Sequence, residues 1–207
     1  MTRARQSGML WNAGLRHNAA EDNMPTIVNK DQYFETALEA LAQVGFTGLN
    51  IGLMCKTLGV TSGSFYHHFG SWQGFVEALL AYWEHRQERI LQELAFGRTG
   101  PEHDIEALRK LTLGLPHAAE AAIRAWSMND ASVREVQRRV DAARRKTVGK
   151  AIERLIGDKA VARVVTSVGM ALLVGYQQLS AGGENAKLDQ MLDEYLRSLV
   201  FARRRGS

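Results

Sequence analysis

The stretch from Gly45 to Phe69, GFTGLNIGLMCKTLGVTSGSFYHHF, decides the fold. It reads as two short helices joined by a tight turn. Asn50 is of the N-cap type, and Ile51, Met54, Cys55 and Leu58 follow at i, i+3, i+4 and i+7, one apolar stripe. Gly59 comes directly after the stripe, where helices end in a left-handed residue that glycine adopts at least cost. Val60 plugs the corner, and Thr61 caps a second helix running through Phe65 to Phe69. Two helices joined by a short turn containing glycine make a helix-turn-helix, whose second helix enters the major groove of DNA.

On that second helix, Phe65 and Phe69 read as core. The residues left to face a groove are small or polar: Ser62, Gly63, Ser64, His67 and His68. Gly63 allows close approach to the backbone, while Thr61 and the first free N–H groups of the helix can hold a phosphate. His67 and His68 do not read as a metal site. Neighbouring helical residues point about 100° apart, and no third ligand is spaced nearby. Cys55 lies on the apolar stripe with no basic cluster to lower its pKa, so it reads as a buried, unreactive thiol.

Phe46 after Gly45, the Gly59-Val60-Thr61 turn and the Gly63-Ser64-Phe65-Tyr66-His67-His68-Phe69 ending together resemble the DNA-binding domain of TetR-type transcriptional regulators, over residues 30 to 80. The resemblance implies a phosphate contact for Tyr66; packing with its hydroxyl at the surface is the other reading. Asn50, Lys56, Thr61, Ser62, Gly63, Ser64, Tyr66, His67 and His68 form the expected DNA-facing set. The chain departs from the family where Gly52, Ser62 and Trp72 stand at positions that are often basic. Each missing Lys or Arg removes one counterion-releasing phosphate contact, which implies a shallow salt dependence. Up to Gly70, five basic residues (Arg3, Arg5, Arg16, Lys30, Lys56) face five acidic ones (Glu21, Asp22, Asp31, Glu35, Glu39), so the reader is electrically neutral.

The rest of the chain sets the frame. With 207 residues, 45% of them hydrophobic, there is enough apolar material for one domain or two small ones. Three prolines and no sustained alternation of apolar and polar residues argue for an all-α protein. A single cysteine excludes an internal disulfide framework and suits the cytoplasm. MTRARQSGML has no apolar core behind its basic residues and does not read as a secretory signal. The apolar run from Val164 to Tyr176 is shorter than the ~20 residues a bilayer requires, so no membrane partner is expected.

Taken in order, residues 1–23 read as a flexible tail whose Arg3, Arg5 and Arg16 either reach the minor groove or belong to a plain disordered extension. Residues 24–71 form the three-helix reader. Its first helix begins at Asn29 with Gln32 in a capping box, buries Phe34, Ala37, Leu38 and Leu41, and ends at Gly45. Residues 72–207 form a larger helical domain for ligand binding and dimerisation. Ser71 caps a helix from Trp72 to Phe96, and FGRTGP, ending at Pro101, breaks the chain. Further helices are expected over 102–113, 116–128 (Pro116 at the first position), 132–156, 159–180 and 186–203, with Ala181-Gly182-Gly183 between the last two. The basic segment from Arg134 to Lys150 reads as a solvated face with Glu135–Arg139 and Asp141–Arg145 pairs.

The last two helices carry more apolar surface than one small domain buries, and Gly169 and Gly175 allow a second helix close. A homodimer through those helices follows from this and from the resemblance, with the readers about one DNA turn apart, ~34 Å. No phosphate loop, metal-ligand spacing or triad order points to an enzyme, and no cofactor or metal is expected. Trp83, Trp126, Met128, Met170 and Tyr176 are the expected lining of an apolar effector pocket, or else ordinary core. The function expected is a DNA-binding regulator, a repressor released from a palindromic operator by a small molecule. The alternative is a helical, dimeric small-molecule-binding module with weak or lost DNA affinity.

Overall fold

The computed structural model describes residues 28–94, 97, 100–179 and 185–205. The expectations for residues 1–23, with Arg3, Arg5 and Arg16, and for Ala181-Gly182-Gly183 lie outside the described residues. Among those described, the chain is all-α: α1 (Lys30–Gly48), α2 (Ile51–Leu58), α3 (Ser62–Phe69), α4 (Trp72–Glu93), α5 (Pro101–Leu113), α6 (His117–Ser127), α7 (Ala131–Ile156), α8 (Lys159–Leu179) and α9 (Asn185–Arg205).

Local chemistry sets most of the boundaries. The Asn29 side chain accepts from the Gln32 N–H at 2.9 Å and the Gln32 side chain accepts from the Asn29 N–H at 2.9 Å, a complete capping box. Asn50, Thr61, Ser71 and Asp130 cap α2, α3, α4 and α7 through side-chain oxygens. Gly45, at φ 67°, breaks α1 as expected, but helical geometry resumes to Gly48, so the element kinks there and continues. Pro116 stands at the N-cap of α6 rather than inside its first turn, and α4 stops at Glu93, short of Phe96.

The first three helices close around aromatic rings. Tyr33, Phe65 and Phe75 are completely buried, and Phe65 and Phe69 lie within 5.2 Å of each other. This cluster runs on through Leu79 and Trp83 of α4 to Ile123 and Trp126 of α6, where Trp126 stacks on Phe46 at 6.2 Å. A polar clamp fixes α1 to α4: Tyr82 donates to Glu35 at 2.5 Å and Arg86 donates to both oxygens of the same carboxylate. A second cluster, with Ile105, Leu108, Ile152 and Leu199, joins α5, α7 and α9 at the far end.

The last two helices differ from expectation. On α8, Val164 and Val168 are 65% and 53% exposed, which leaves a bare apolar face. On α9, Leu188, Leu192 and Leu199 are buried within the chain itself, so its apolar stripe is already occupied. Gly169 is occupied too: a Cβ there would meet the Tyr195 hydroxyl at 2.6 Å, whereas nothing approaches Gly175 within 4 Å. Helix α8 is long and apolar enough to cross a membrane by length and composition, but its other face packs into the protein through Ala162, Thr166, Met170 and Gln177.

Candidate nucleic-acid interface

Helix α3 presents its outer face because its inner one is pinned. Phe65 has no exposed surface and touches Tyr33, Phe69, Trp72 and Phe75. Fully burying such a ring contributes roughly 2–3 kcal/mol. At the N-terminus, the Thr61 hydroxyl accepts from the Ser64 N–H at 3.3 Å, while Ser62 and Gly63 lie exposed on the first turn. The first N–H groups of a helix have no partner inside it, and they carry partial positive charge.

Not every expected contact residue stands in the open. Ser62, Gly63 and His67 are exposed and Tyr66 is 49% exposed. Ser64 and His68 are half-buried: the Ser64 hydroxyl shares a 3.3 Å hydrogen bond with Tyr33, and the His68 ring packs against Tyr33 at 5.4 Å. On α2, Asn50 and Lys56 are exposed, but the Asn50 side chain is committed to the Leu53 N–H and the Gly48 carbonyl. Cys55 is partly buried in the stripe, and desolvation raises its thiol pKa, which suits packing rather than reactivity. Sequence reasoning missed Tyr33, which braces α3 from below, and Lys30, whose ammonium lies 5.8 Å from the centre of the Phe69 ring at the other end of the reader. Its charge count stopped at Gly70 and so left out Arg86, which pairs with Glu35 at 2.8 Å.

The five residues expected to share an effector pocket do not line one cavity together. Met128 is 75% exposed, and Trp126 stacks on Phe46 at the junction with the reader. Met170 alone lines an apolar cavity of about 80 Å³ bounded by α5, α7, α8 and α9, together with Ile105, Leu108, Ile152, Leu173 and Leu199. Trp83 and Tyr176 stand elsewhere, on the buried faces of α4 and α8.

A buried polar cluster that the sequence reading did not foresee lies between α4, α6, α7 and α8. Arg144 donates to both Glu120 oxygens and, at 2.6 Å, to Gln87; Gln177 donates to Glu120 at 2.9 Å. Burial alone would push the Arg144 pKa down, but the Glu120 carboxylate beside it holds it above the ordinary value. The basic segment is therefore not wholly a solvated face. Asp141 also pairs across to Arg124 of α6 at 2.8 Å rather than with Arg145, while Glu135 does lie 3.7 Å from Arg139.

Three short helices with the third exposed on its outer face, followed by a longer helical region, are the arrangement of a helix-turn-helix domain joined to a helical body. Residues 34–79 match the model of bacterial regulatory proteins of the tetR family. No curated protein matches the chain. Among solved structures, a transcriptional regulator from Rhodococcus sp. Rha1 is 18% identical with a TM-score of 0.70, covering 84% of this chain and 96% of that one. A TetR-family regulator from Streptomyces coelicolor is 11% identical with a TM-score of 0.67 over 82% and 93%, and a TetR regulator from Haloarcula marismortui is 17% identical with a TM-score of 0.65 over 82% and 96%. The helix-turn-helix domain is that of the TetR family, and the chain as a whole has the fold of TetR-type transcriptional regulators.

Proposed function

We propose that the protein is a cytoplasmic, dimeric repressor that reads a palindromic operator with α3 and leaves it when a small molecule binds the helical region beyond Ser71. The observation that carries this reading is Gly63. It is exposed on the first turn of α3, and a Cβ there would meet only the Thr61 hydroxyl at 3.6 Å, so the fold does not require glycine at this position. Close approach to a phosphate backbone does. Tyr66 and His67 flank it on the outward face, with Lys56 exposed on α2.

The exposed valines of α8 support a dimer. Two such faces packed together bury apolar surface that a monomer leaves in water. Two-fold symmetry then sets the readers about one DNA turn apart, ~34 Å, and calls for half-sites at that spacing. For an effector to move the population from mostly bound to mostly released, its affinities for the two states must differ by about 5.5 kcal/mol. Helix α4, clamped to α1 by Glu35 and packed against α7, is the element through which that difference reaches α3.

Selection of random duplexes by the purified protein tests the reading. An enriched palindrome is expected; no enrichment after several rounds favours the alternative of a small-molecule-binding module without DNA affinity. With only Lys30 and Lys56 as basic residues among 28–71, the complex is expected to weaken little as salt rises, well short of the loss seen when 6–10 phosphates are neutralised. A steep slope would show that basic residues elsewhere, such as those of α7, engage the duplex.

A further inference from the structure

Residues 131–179, helices α7 and α8 with their link, hold ten basic side chains against four acidic ones, a net +6 where the whole chain carries +4. Five of the ten are engaged. Arg138 pairs with Glu135, Arg139 with Glu84, Arg144 with Glu120 and Arg154 with Asp104, and Arg134 donates to the Met128 carbonyl. Among the described residues the other five, Arg145, Lys146 and Lys150 of α7 and Lys159 and Arg163 of α8, pair with no carboxylate. All five are exposed, and all five line one groove of about 380 Å³ between the two helices.

The groove exists because its floor is small. A Cβ on Gly149 would meet the Thr166 hydroxyl oxygen at 3.6 Å, so α7 and α8 approach closely there, with Ala162 alongside. The long cations stand round this depression, and the carboxylate among them is that of Glu153. Lys146 with Lys150, and Lys159 with Arg163, are like charges one turn apart, an arrangement that destabilises the helix carrying it. Thr166 and Ser167 donate their hydroxyl protons to the Ala162 and Arg163 carbonyls, so charge is what the groove has to offer.

We propose that this groove binds a short phosphate chain, free or carried on a nucleotide. Its volume lies in the range of small-molecule sites, roughly 300–1,000 Å³. Five cations and one carboxylate leave a net positive charge that two or three linked phosphates match, since one phosphate group carries about −1.5 to −2. No aromatic side chain stands among the described lining residues, so the phosphates are what is read and a base has nothing to stack on. The operator is not the occupant. Lys146 and Lys150 also border Glu88 and Gln92 of α4, and Glu88 lies ~24 Å along that helix from Trp72, where α4 leaves the reader. The apolar face of α8 is a different surface too: at about 100° per residue, Arg163 points about 100° away from Val164 and Lys159 about 140°. The site stands whether or not α3 reads DNA.

Calorimetric titration of the full-length protein with tripolyphosphate, in magnesium-free buffer of low salt, tests the site. One tripolyphosphate per chain is expected, bound at least tenfold more tightly than orthophosphate or citrate. Lys150→Gln with Arg163→Gln removes one member of each like-charge pair, so the melting temperature should hold or rise while affinity falls at least tenfold. Arg89→Gln with Lys110→Gln removes the same charge from exposed positions on α4 and α5 and should leave affinity within about twofold. ATP binding as tightly as tripolyphosphate would identify a nucleotide as the carrier; tripolyphosphate binding without ATP would identify the free chain. No binding, equal losses in the two double variants, or citrate binding as tightly as tripolyphosphate would each overturn the assignment. Displacement of tripolyphosphate by a random DNA duplex would overturn it as well, and would make the groove a nucleic-acid surface.

Discussion

Two interiors of this molecule are held together by opposite means. The reader is closed by rings: Phe65 sits among Tyr33, Phe69, Trp72 and Phe75. The seam between α4, α6, α7 and α8 is closed by a buried arginine and glutamate with two glutamines around them. The first arrangement is non-directional and tolerates reshaping. The second is directional, and each member depends on the others. The rings give α3 a fixed platform, whereas the seam is held only while each of its hydrogen bonds keeps its partner.

The comparison can be broken most forcefully at Glu120. Glu120→Ala leaves Arg144 charged, buried and unpaired, and is expected to cost about 3–5 kcal/mol in chemical denaturation. The double change Glu120→Leu with Arg144→Met removes both charges and should recover most of that loss; no recovery would mean that the pair is not what holds the seam. In the reader, Phe65→Ala is expected to cost a similar ~3–5 kcal/mol, with no polar change able to restore it.

A smaller effect separates the two regions by pH. Burial lowers the pKa of His117; the Glu120 carboxylate pulls it the other way, Arg144 adds to the lowering, and the Thr112 backbone gives a slight opposing push. A depressed pKa in the folded state means that the unfolded chain binds the extra proton first. The stabilisation is therefore complete above the ordinary histidine value of about 6.5 and is lost as pH falls below it. Thermal melting between pH 7.5 and 5.5 should show a falling melting temperature, and His117→Phe should flatten the profile. An unchanged slope in that variant would place the titration elsewhere. The smallest effect belongs to the cap: Asn50→Ala should cost about 1 kcal/mol, confined to the reader.

The same contrast explains what could be read in the sequence. The reader was legible because its signals are local: caps at Asn50 and Thr61, a left-handed turn at Gly59 and an apolar stripe on α2. Pairing is not local. Glu120 and Arg144 lie 24 residues apart, and Gln177 is 57 from Glu120. A trace was present all the same. Arg144 continues the stripe of Val133, Val136 and Val140, Gln87 continues Leu80 and Trp83, and Gln177 continues Met170 and Leu173. A polar residue on a buried stripe announces a partner without naming it. The residues expected to line one effector pocket are spread over the fold for a related reason: large side chains such as Met128 and Trp126 were chosen by type, and type does not say which face of a helix they occupy. Ser64 and His68 were placed outward on α3 because Tyr33, the residue that engages both, lies a helix away.

The central claim is that α3 touches nucleic acid with its first turn, and Gly63→Ala tests it most directly. Alanine fits the space and favours the helix, so the melting temperature should hold or rise. Measured against the selected duplex, affinity should fall at least tenfold, about 1.4 kcal/mol. A folded Gly63→Ala protein that binds the same duplex as tightly as the unaltered chain would contradict the account.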